Sequence, residues 1–571
     1  MTFKSTLLSV FLVFAFAKAV SGQITTPPTF TKITPELAAK VDAVFADTDK
    51  TNHPGAALGI FKDGEIIYAK GYGYANLEYD IPISSTSVFR IASTSKQFTA
   101  ACIVLLAQQG KLSLDSTLDT FFPEFPSYAK TITVRHLLNH TSGIRDYLVL
   151  ASLSGLGDED FYTDEDVMKW LVHQEELNFK PGDEHLYSNS GYWLLGQIVQ
   201  KVTGTSMADY AMKEIFKPLG MNNTHFHNDY TAIVKNRASG YYPTPNGGFQ
   251  ISMTTLNMIG DGGIFTTIED LKKWDDAYYD SKILTEDFWK TMTTTTILND
   301  GTANEYASGL EVGVYDGHKI ISHGGAFVGF RAQKFQFPDD HFTVVVLANR
   351  GDANPNELAS KVADLFLDPI EITTPNEDED AVVSNTAFAK AKPIQLPIAD
   401  LKKLEGSYWN ADSKTSRNLT LVNDTLVYDR GSGRVTKMEP VSKNTFRWIG
   451  PDIPIKLTID NPNTPSGFTL EIPGQGVFNY KKYEPLKQLT ATQSQQYEGD
   501  YYSKELDVTY TFKKEDNGLT LYINGENLAP VVPIMKDKFN VAGYMTFDFT
   551  KDQQEFRASA GRVQNLRFVK K

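Results

Sequence analysis

The chain has 571 residues, a formal net charge of -14, and an apolar share of 41%. That length exceeds what one compact core supports, so two or three domains are expected. The acidic balance argues against a nucleic-acid partner, and the single cysteine, Cys102, excludes an intrachain disulfide or a cysteine-built metal site.

Lys4, the apolar run Leu7 to Phe16 and the small residues Ala17, Ala19, Ser21 and Gly22 read as a secretory signal segment over 1–22. The expected location is therefore secreted or periplasmic. The run is too short to span a bilayer comfortably, and no other segment suits stable membrane insertion. Residues 34–46 carry Leu37, Val41, Val44 and Phe45 at helical spacing. Strands are expected over 56–60 and 65–69, joined by an Asp63-Gly64 turn. Ser93-Thr94-Ser95-Lys96 opens a long apolar stretch that ends near Gly110 and contains Cys102, expected as a small buried hydrophobe. A helical pattern spans 190–204. Strands are expected over 330–337 and 342–348, followed by a helix with Asn354 as cap, Pro355 at its first position and Glu357 two residues later, running to about Leu367.

A linker is expected over 373–397, around the acidic run Glu377 to Asp380. Beyond it Leu404-Glu405-Gly406-Ser407-Tyr408-Trp409 recurs 93 positions later as Tyr497-Glu498-Gly499-Asp500-Tyr501-Tyr502. Each copy precedes short alternating strands, which predicts two related barrel-like β modules over 398–485 and 486–571. The main domain is expected over 23–372: an α+β fold with an antiparallel sheet flanked by helices and a helical insertion.

Three motifs in that domain carry chemistry. Ser93 and Lys96, three apart, share one helix face and supply a nucleophile beside a base. Tyr187-Ser188-Asn189 precedes a helix; a lysine beside the phenol would favour phenolate, and Asn189 offers an amide to a substrate carbonyl or amide. His323-Gly324-Gly325-Ala326 opens a strand whose glycines would let substrate lie against it, with the Ala326 N–H joining that of Ser93 as an oxyanion hole. Each motif alone has a plainer reading: a serine cap with a solvated lysine, a loop-anchoring tyrosine, a glycine turn with a surface histidine. Of the Asn-x-Thr sites at Asn139, Asn222, Asn418 and Asn423, Asn139 sits in a further motif and is expected to be structural.

In combination and in this order the motifs resemble the serine β-lactamase and penicillin-binding protein superfamily. The stretches Phe89 to Lys96, Leu137 to Gly143, Tyr187 to Tyr192, Gly260 to Gly263 and His323 to Gly325 resemble its class C-like branch, the β-lactamase-related serine hydrolases. The resemblance covers about 34–367, and the β modules resemble the lipocalin-like domains of some members. It implies acylation of Ser93, proton work shared by Lys96 and Tyr187 with the base left open, substrate contact by Asn189, and no metal or other cofactor. His323 stands where many members have lysine, which weakens the grip on a substrate carboxylate and disfavours efficient β-lactamase activity. The expected function is hydrolysis of a small-molecule or peptide substrate, a D-amino-acid peptide, amide or ester. The alternatives are a catalytically silent binding or scaffold protein and a weak β-lactamase.

Overall fold

A computed structural model describes residues 29–157, 160–370, 388, 391–431, 434–449, 455–472, 476–486, 488–515 and 518–571. The expected signal segment, and most of the expected linker, lie outside them. The centre of the first domain is a seven-stranded antiparallel sheet. Its strands are β1 (Phe30–Thr31), β2 (Ala56–Lys62), β3 (Glu65–Tyr72), β4 (Glu311–Tyr315), β5 (His318–Phe327), β6 (Phe330–Phe337) and β7 (Phe342–Ala348). They lie in the order β1-β3-β2-β7-β6-β5-β4. The chain's two hairpins thus meet at β2 and β7, which pair from Phe342 opposite Lys62 to Ala348 opposite Ala56. Asp63 and Gly64 both have positive φ, 50° and 78°, as the tight turn between β2 and β3 needs.

Strand β7 is buried on both faces, and its side chains alternate between two cores. Val344 and Val346 join Leu58 and Ile60 under helices α1 (Pro35–Val44) and α6 (Pro355–Ala363). Val345 and Leu347 join Ala57 and Phe61 on the opposite face, toward the helical insertion. That insertion holds α2 (Lys96–Gln108), α3 (Tyr147–Leu153), α4 (Asn189–Thr203) and α5 (Ile268–Tyr279). Helix α2 is buried without interruption from Lys96 to Leu106, Cys102 included. Asn354 caps α6 by accepting from the Glu357 N–H at 3.3 Å. The helix ends at Ala363, short of Leu367, and the chain continues in a turn.

The C-terminal region forms two closed eight-stranded barrels, from Gly406–Asn410 to Gly476–Tyr483 and from Gly499–Ser503 to Val563–Lys570. The repeated Glu-Gly-x-Tyr has the same job in each. Glu405 and Glu498 each accept the backbone N–H sixteen residues on, from Leu421 at 2.8 Å and Lys514 at 3.0 Å. Gly406 and Gly499 have φ of 150° and 130°. Tyr408 donates to the Leu404 carbonyl at 2.7 Å and Tyr501 to that of Tyr497 at 3.3 Å. A short helix that the sequence reading omitted precedes each barrel, Ile398–Lys403 and Ala491–Tyr497.

The second barrel is fused to the helical insertion. Its aromatic core belongs to the same buried cluster as α2 and α4, whereas the first barrel has a core of its own. Arg145 and Glu505, both buried, form an ion pair at 2.5 Å across the joint. The Tyr510 hydroxyl donates to the Leu153 carbonyl, which ends α3, at 2.7 Å.

Candidate active site

Ser93 lies in a single 3-10 turn, Ala92–Ser95, that runs directly into α2. Ala92 has φ of 47°, a left-handed conformation for a residue with a Cβ, so the turn before the serine is strained. The surrounding loop 260–264 fixes it: Ser95 accepts the Ile264 N–H at 3.1 Å and Thr99 donates to the Gly260 carbonyl at 2.7 Å.

Lys96, the first residue of α2, is fully buried. Its Nζ lies 3.2 Å from Ser93 Oγ, 2.9 Å from Asn189 Oδ1 and 2.6 Å from the Asp261 carbonyl. Burial pushes its pKa down to about 7, with Asp261 opposing and Arg562 reinforcing the shift. A neutral amine has two protons and one lone pair. Asn189 and Asp261 can only accept at these atoms, so they take both protons, and the lone pair is left facing the Ser93 hydroxyl.

Tyr187 packs its ring face 4.7 Å from the Lys96 nitrogen. Its hydroxyl is buried near the Ser93 side chain and completes no hydrogen bond of good geometry among the described residues. Burial raises its pKa above the ordinary phenol value, against smaller lowering influences from Ser93 and Arg562. The phenolate expected from a neighbouring lysine is therefore not the resting form: desolvation outweighs the charge, and of the two groups Lys96 is the one that gives up its proton near neutrality. Asn189 opens α4, with Ser188 as the cap. Its backbone N–H donates to Asp146 Oδ2 at 2.8 Å, and Asp146 Oδ1 caps α3 through the Leu148 and Val149 N–H groups.

His323 is buried, not on the surface, and its strand begins at His318 rather than at the motif. Its Nδ1 faces the Gly324 carbonyl at 2.6 Å, so Nδ1 carries the proton and Nε2 accepts from the Tyr306 hydroxyl at 2.8 Å. Burial and Lys96 lower its pKa to about 3, so it is neutral at any ordinary pH. Gly325 is needed for a close contact within the protein, and Gly324 also stands close to a side chain. A Cβ on Gly325 would stand 2.1 Å from the Ile91 carbonyl oxygen, and one on Gly324 2.9 Å from Gln333 Oε1. They let β5 press onto the Ser93 turn. Ala326 then lines a cavity of about 430 Å³ together with Ser93, Asn189 and Asp261.

Sequence reasoning missed four contributors. Asp261 acts through its carbonyl, and its carboxylate accepts from the Tyr147 hydroxyl at 3.0 Å. Asp146 orients Asn189. Arg90 lines the cavity from the short strand Phe89–Arg90. Arg562 comes from the tip of the second barrel's last hairpin, where with Tyr544, Ala560 and Gly561 it forms part of the cavity wall. Its Nε lies 3.2 Å from Asp146 Oδ2 and its guanidinium 5.6 Å from the Tyr187 ring centre. Asn178 holds this hairpin, donating to the Arg562 carbonyl at 2.9 Å and accepting the Gln564 N–H at 2.8 Å. Asn139 is buried and donates to the Tyr306 and Ala307 carbonyls, so its amide is committed inside the fold.

A family model described as Beta-lactamase matches residues 41–366. The chain belongs to the Beta-lactamase family. Among curated relatives, the D-aminopeptidase of Gluconobacter oxydans is 28% identical over 300 residues, 52% of this chain and 56% of the relative. Penicillin-binding protein 4* of Bacillus subtilis is 28% identical over 414 residues, 69% of this chain and 88% of the relative. The D-aminopeptidase of Cereibacter sphaeroides is 30% identical over 313 residues, 54% of this chain and 59% of the relative. The match to these D-aminopeptidases thus spans less than two thirds of their length. Among solved structures, an octameric penicillin-binding protein homologue from Pyrococcus abyssi has a TM-score of 0.54 at 25% identity, covering 78% of this chain and 99% of its own. A D-amino acid amidase from Ochrobactrum anthropi shares the fold, with a TM-score of 0.51 at 24% identity over 58% of this chain and 99% of its own. No helix among the described residues is long and apolar enough to cross a membrane.

Proposed function

We propose that the protein is a secreted serine hydrolase that cleaves an amide or ester bond through an acyl-enzyme on Ser93. The observation that carries this reading is the Lys96 amine 3.2 Å from Ser93 Oγ, its two other contacts being carbonyl acceptors. Ser93 Oγ attacks the substrate carbonyl while its proton passes to the Lys96 lone pair. The N–H groups of Ser93 and Ala326 receive the oxyanion. As the bond to the leaving group breaks, that group takes a proton relayed from the Lys96 ammonium through the Tyr187 hydroxyl. Water then releases the acyl group, its proton returning by the same side chains. Asn189 holds the substrate amide or carbonyl.

The D-aminopeptidases and the D-amino acid amidase among the relatives support D-amino-acid peptides, amides or esters as substrates. Neutral His323 offers no cation to a penicillin carboxylate at that position. Secretion rests on the charged start and apolar run of 1–22, and an exported protein beginning near residue 23 is the expected product. The test is intact-protein mass spectrometry after incubation with a fluorophosphonate and with a panel of D-amino-acid amides and esters. Wild type gains one adduct and turns over members of the panel; Ser93→Ala, with an unchanged circular dichroism spectrum, does neither. Normal turnover by Ser93→Ala would remove Ser93 as the nucleophile.

A further inference from the structure

The cavity beside Ser93 holds a cation with nothing to bind. The Arg90 side chain is 6% exposed and lines the same cavity as Ser93. Among the described residues its guanidinium has no hydrogen bond and no ion pair. Its neighbours are ring faces, Phe265 at 5.4 Å and Phe327 at 5.7 Å. A second arginine, Arg237, stands over Phe265 at 5.2 Å, and its charge acts on Arg90 by repulsion. A buried guanidinium without an anion is costly, and its planar donor fork matches a carboxylate.

The nearby acids do not fill that role. Asp261 supports the Arg90 charge through space, but its carboxylate bonds the Tyr147 hydroxyl and not the guanidinium. Asp146 is held by the Asn189 N–H and by Arg562. Lys96 sits near neutrality and is engaged with carbonyls. Arg562 already has Asp146 as its counter-ion, so Arg90 is the cation left over. Leu148, Val149, Leu256 and Met258 give the wall an apolar part, beside the polar side chains of Ser152, Asn189 and Tyr544.

We propose that Arg90 is the anchor for a carboxylate on the substrate, so that the enzyme selects amides or esters whose acyl or leaving group carries a carboxylate beside an aliphatic portion. This rests on the hydrolase reading above and deepens it. The anion grip would then come from the strand that leads into the nucleophile turn and not from position 323.

Matched ester pairs test this. p-Nitrophenyl hemiglutarate against p-nitrophenyl hexanoate places the carboxylate on the acyl side; 4-carboxyphenyl acetate against phenyl acetate places it on the leaving group. Wild type is expected to favour the carboxylate member of at least one pair on the order of 10- to 100-fold in kcat/KM, the range of a charge-assisted hydrogen bond. Arg90→Met abolishes that ratio and Arg90→Lys keeps part of it. Equal treatment of both members in both pairs by wild type, or a ratio that survives in Arg90→Met, overturns the proposal. A binding readout separates it from the hydrolase reading: calorimetric titration of glutarate into Ser93→Ala, which needs no turnover. Glutarate is expected to bind Ser93→Ala and to lose that affinity in the Ser93→Ala/Arg90→Met double variant. Saturable binding that depends on Arg90 in a protein with no esterase activity would uphold the anion site and defeat the hydrolase. Esterase activity with no preference and no glutarate binding would do the reverse. If Arg90→Met does not fold, the wild-type ratios and the Arg90→Lys titration decide.

Discussion

Lys96 has three polar neighbours and, once neutral, three hydrogen-bonding positions to meet them. Protonation would turn the lone pair facing Ser93 into a third N–H and remove the acceptor for the serine proton. Because burial sets the Lys96 pKa at about 7, kcat/KM is expected to fall about tenfold per pH unit below that value and to level off above it. His323, with a pKa lowered to about 3, adds no step between pH 5 and 8. A rate profile on a neutral ester checks this, and an acid limb centred well away from pH 7 would reject Lys96 as the base. Lys96→Met is expected to lose on the order of 10³-fold or more in kcat, as removal of one member of a concerted catalytic set does elsewhere. Ser93 with Lys96, and Tyr187 with Asn189, could be picked out from the chain because each pair combines telling side-chain types at short spacing, and the fold brings the two pairs together. Asp261 could not, because it serves Lys96 through a backbone carbonyl that any residue possesses. The protonated state of Tyr187 also escaped the sequence, since it depends on burial that spacing does not reveal.

At the scale of elements, the turns and caps were readable because each is local. Asp63-Gly64, Asn354-Pro355 and the strands 330–337 and 342–348 depend on neighbours within a few residues. The role of Gly325 was not local: β5 passes close to Ile91 there, a contact that no short stretch of sequence reveals. Gly325→Ala puts a methyl 2.1 Å from that carbonyl oxygen. It is expected to cost about 1–3 kcal/mol by overpacking and to lower kcat by displacing Ala326 from Ser93. Gly313→Ala on β4, where the nearest atom to the added carbon is 3.9 Å away, is the control expected to leave both unchanged. Urea midpoints and kcat for the two variants decide it; equal behaviour would show that the strand can move aside. The last hairpin of the second barrel makes a separate prediction. Arg562 lowers the Lys96 pKa, so Arg562→Ala raises it, and the now unpaired Asp146 acts in the same direction. The acid limb of the rate profile should move to higher pH, while the opened wall admits bulkier leaving groups. An unmoved limb would place Arg562 too far from Lys96 to matter.

At the scale of the whole molecule, the repeat spaced by 93 residues announced two barrels, because Glu405-Gly406 and Glu498-Gly499 tie the start of each barrel to its second strand by the same bonds. That the modules could cover the active-site mouth is a reading the chain permits, but which barrel does so, and through which residues, was not legible. Arg562 meets Asp146, and Glu505 meets Arg145, across more than 350 positions of sequence, a pairing that only the packed core creates. That joint should link stability to catalysis. Arg145 is entirely buried, and Glu505 binds it while also accepting the Glu175 N–H at 2.9 Å. Glu505→Leu strands a buried guanidinium and is expected to cost about 3–5 kcal/mol, whereas the Arg145→Met/Glu505→Leu pair, which removes both charges, should recover much of that loss. Urea unfolding of the three proteins measures the cycle. Because the same docking holds the Arg562 hairpin against the cavity, Glu505→Leu should also shift the acid limb of kcat/KM upward, as Arg562→Ala does, and the double variant should restore it. A Glu505→Leu protein destabilised by under about 1 kcal/mol, or one whose rate profile stays put while its stability falls, would show that the barrel rests on the insertion without tuning the chemistry beside it.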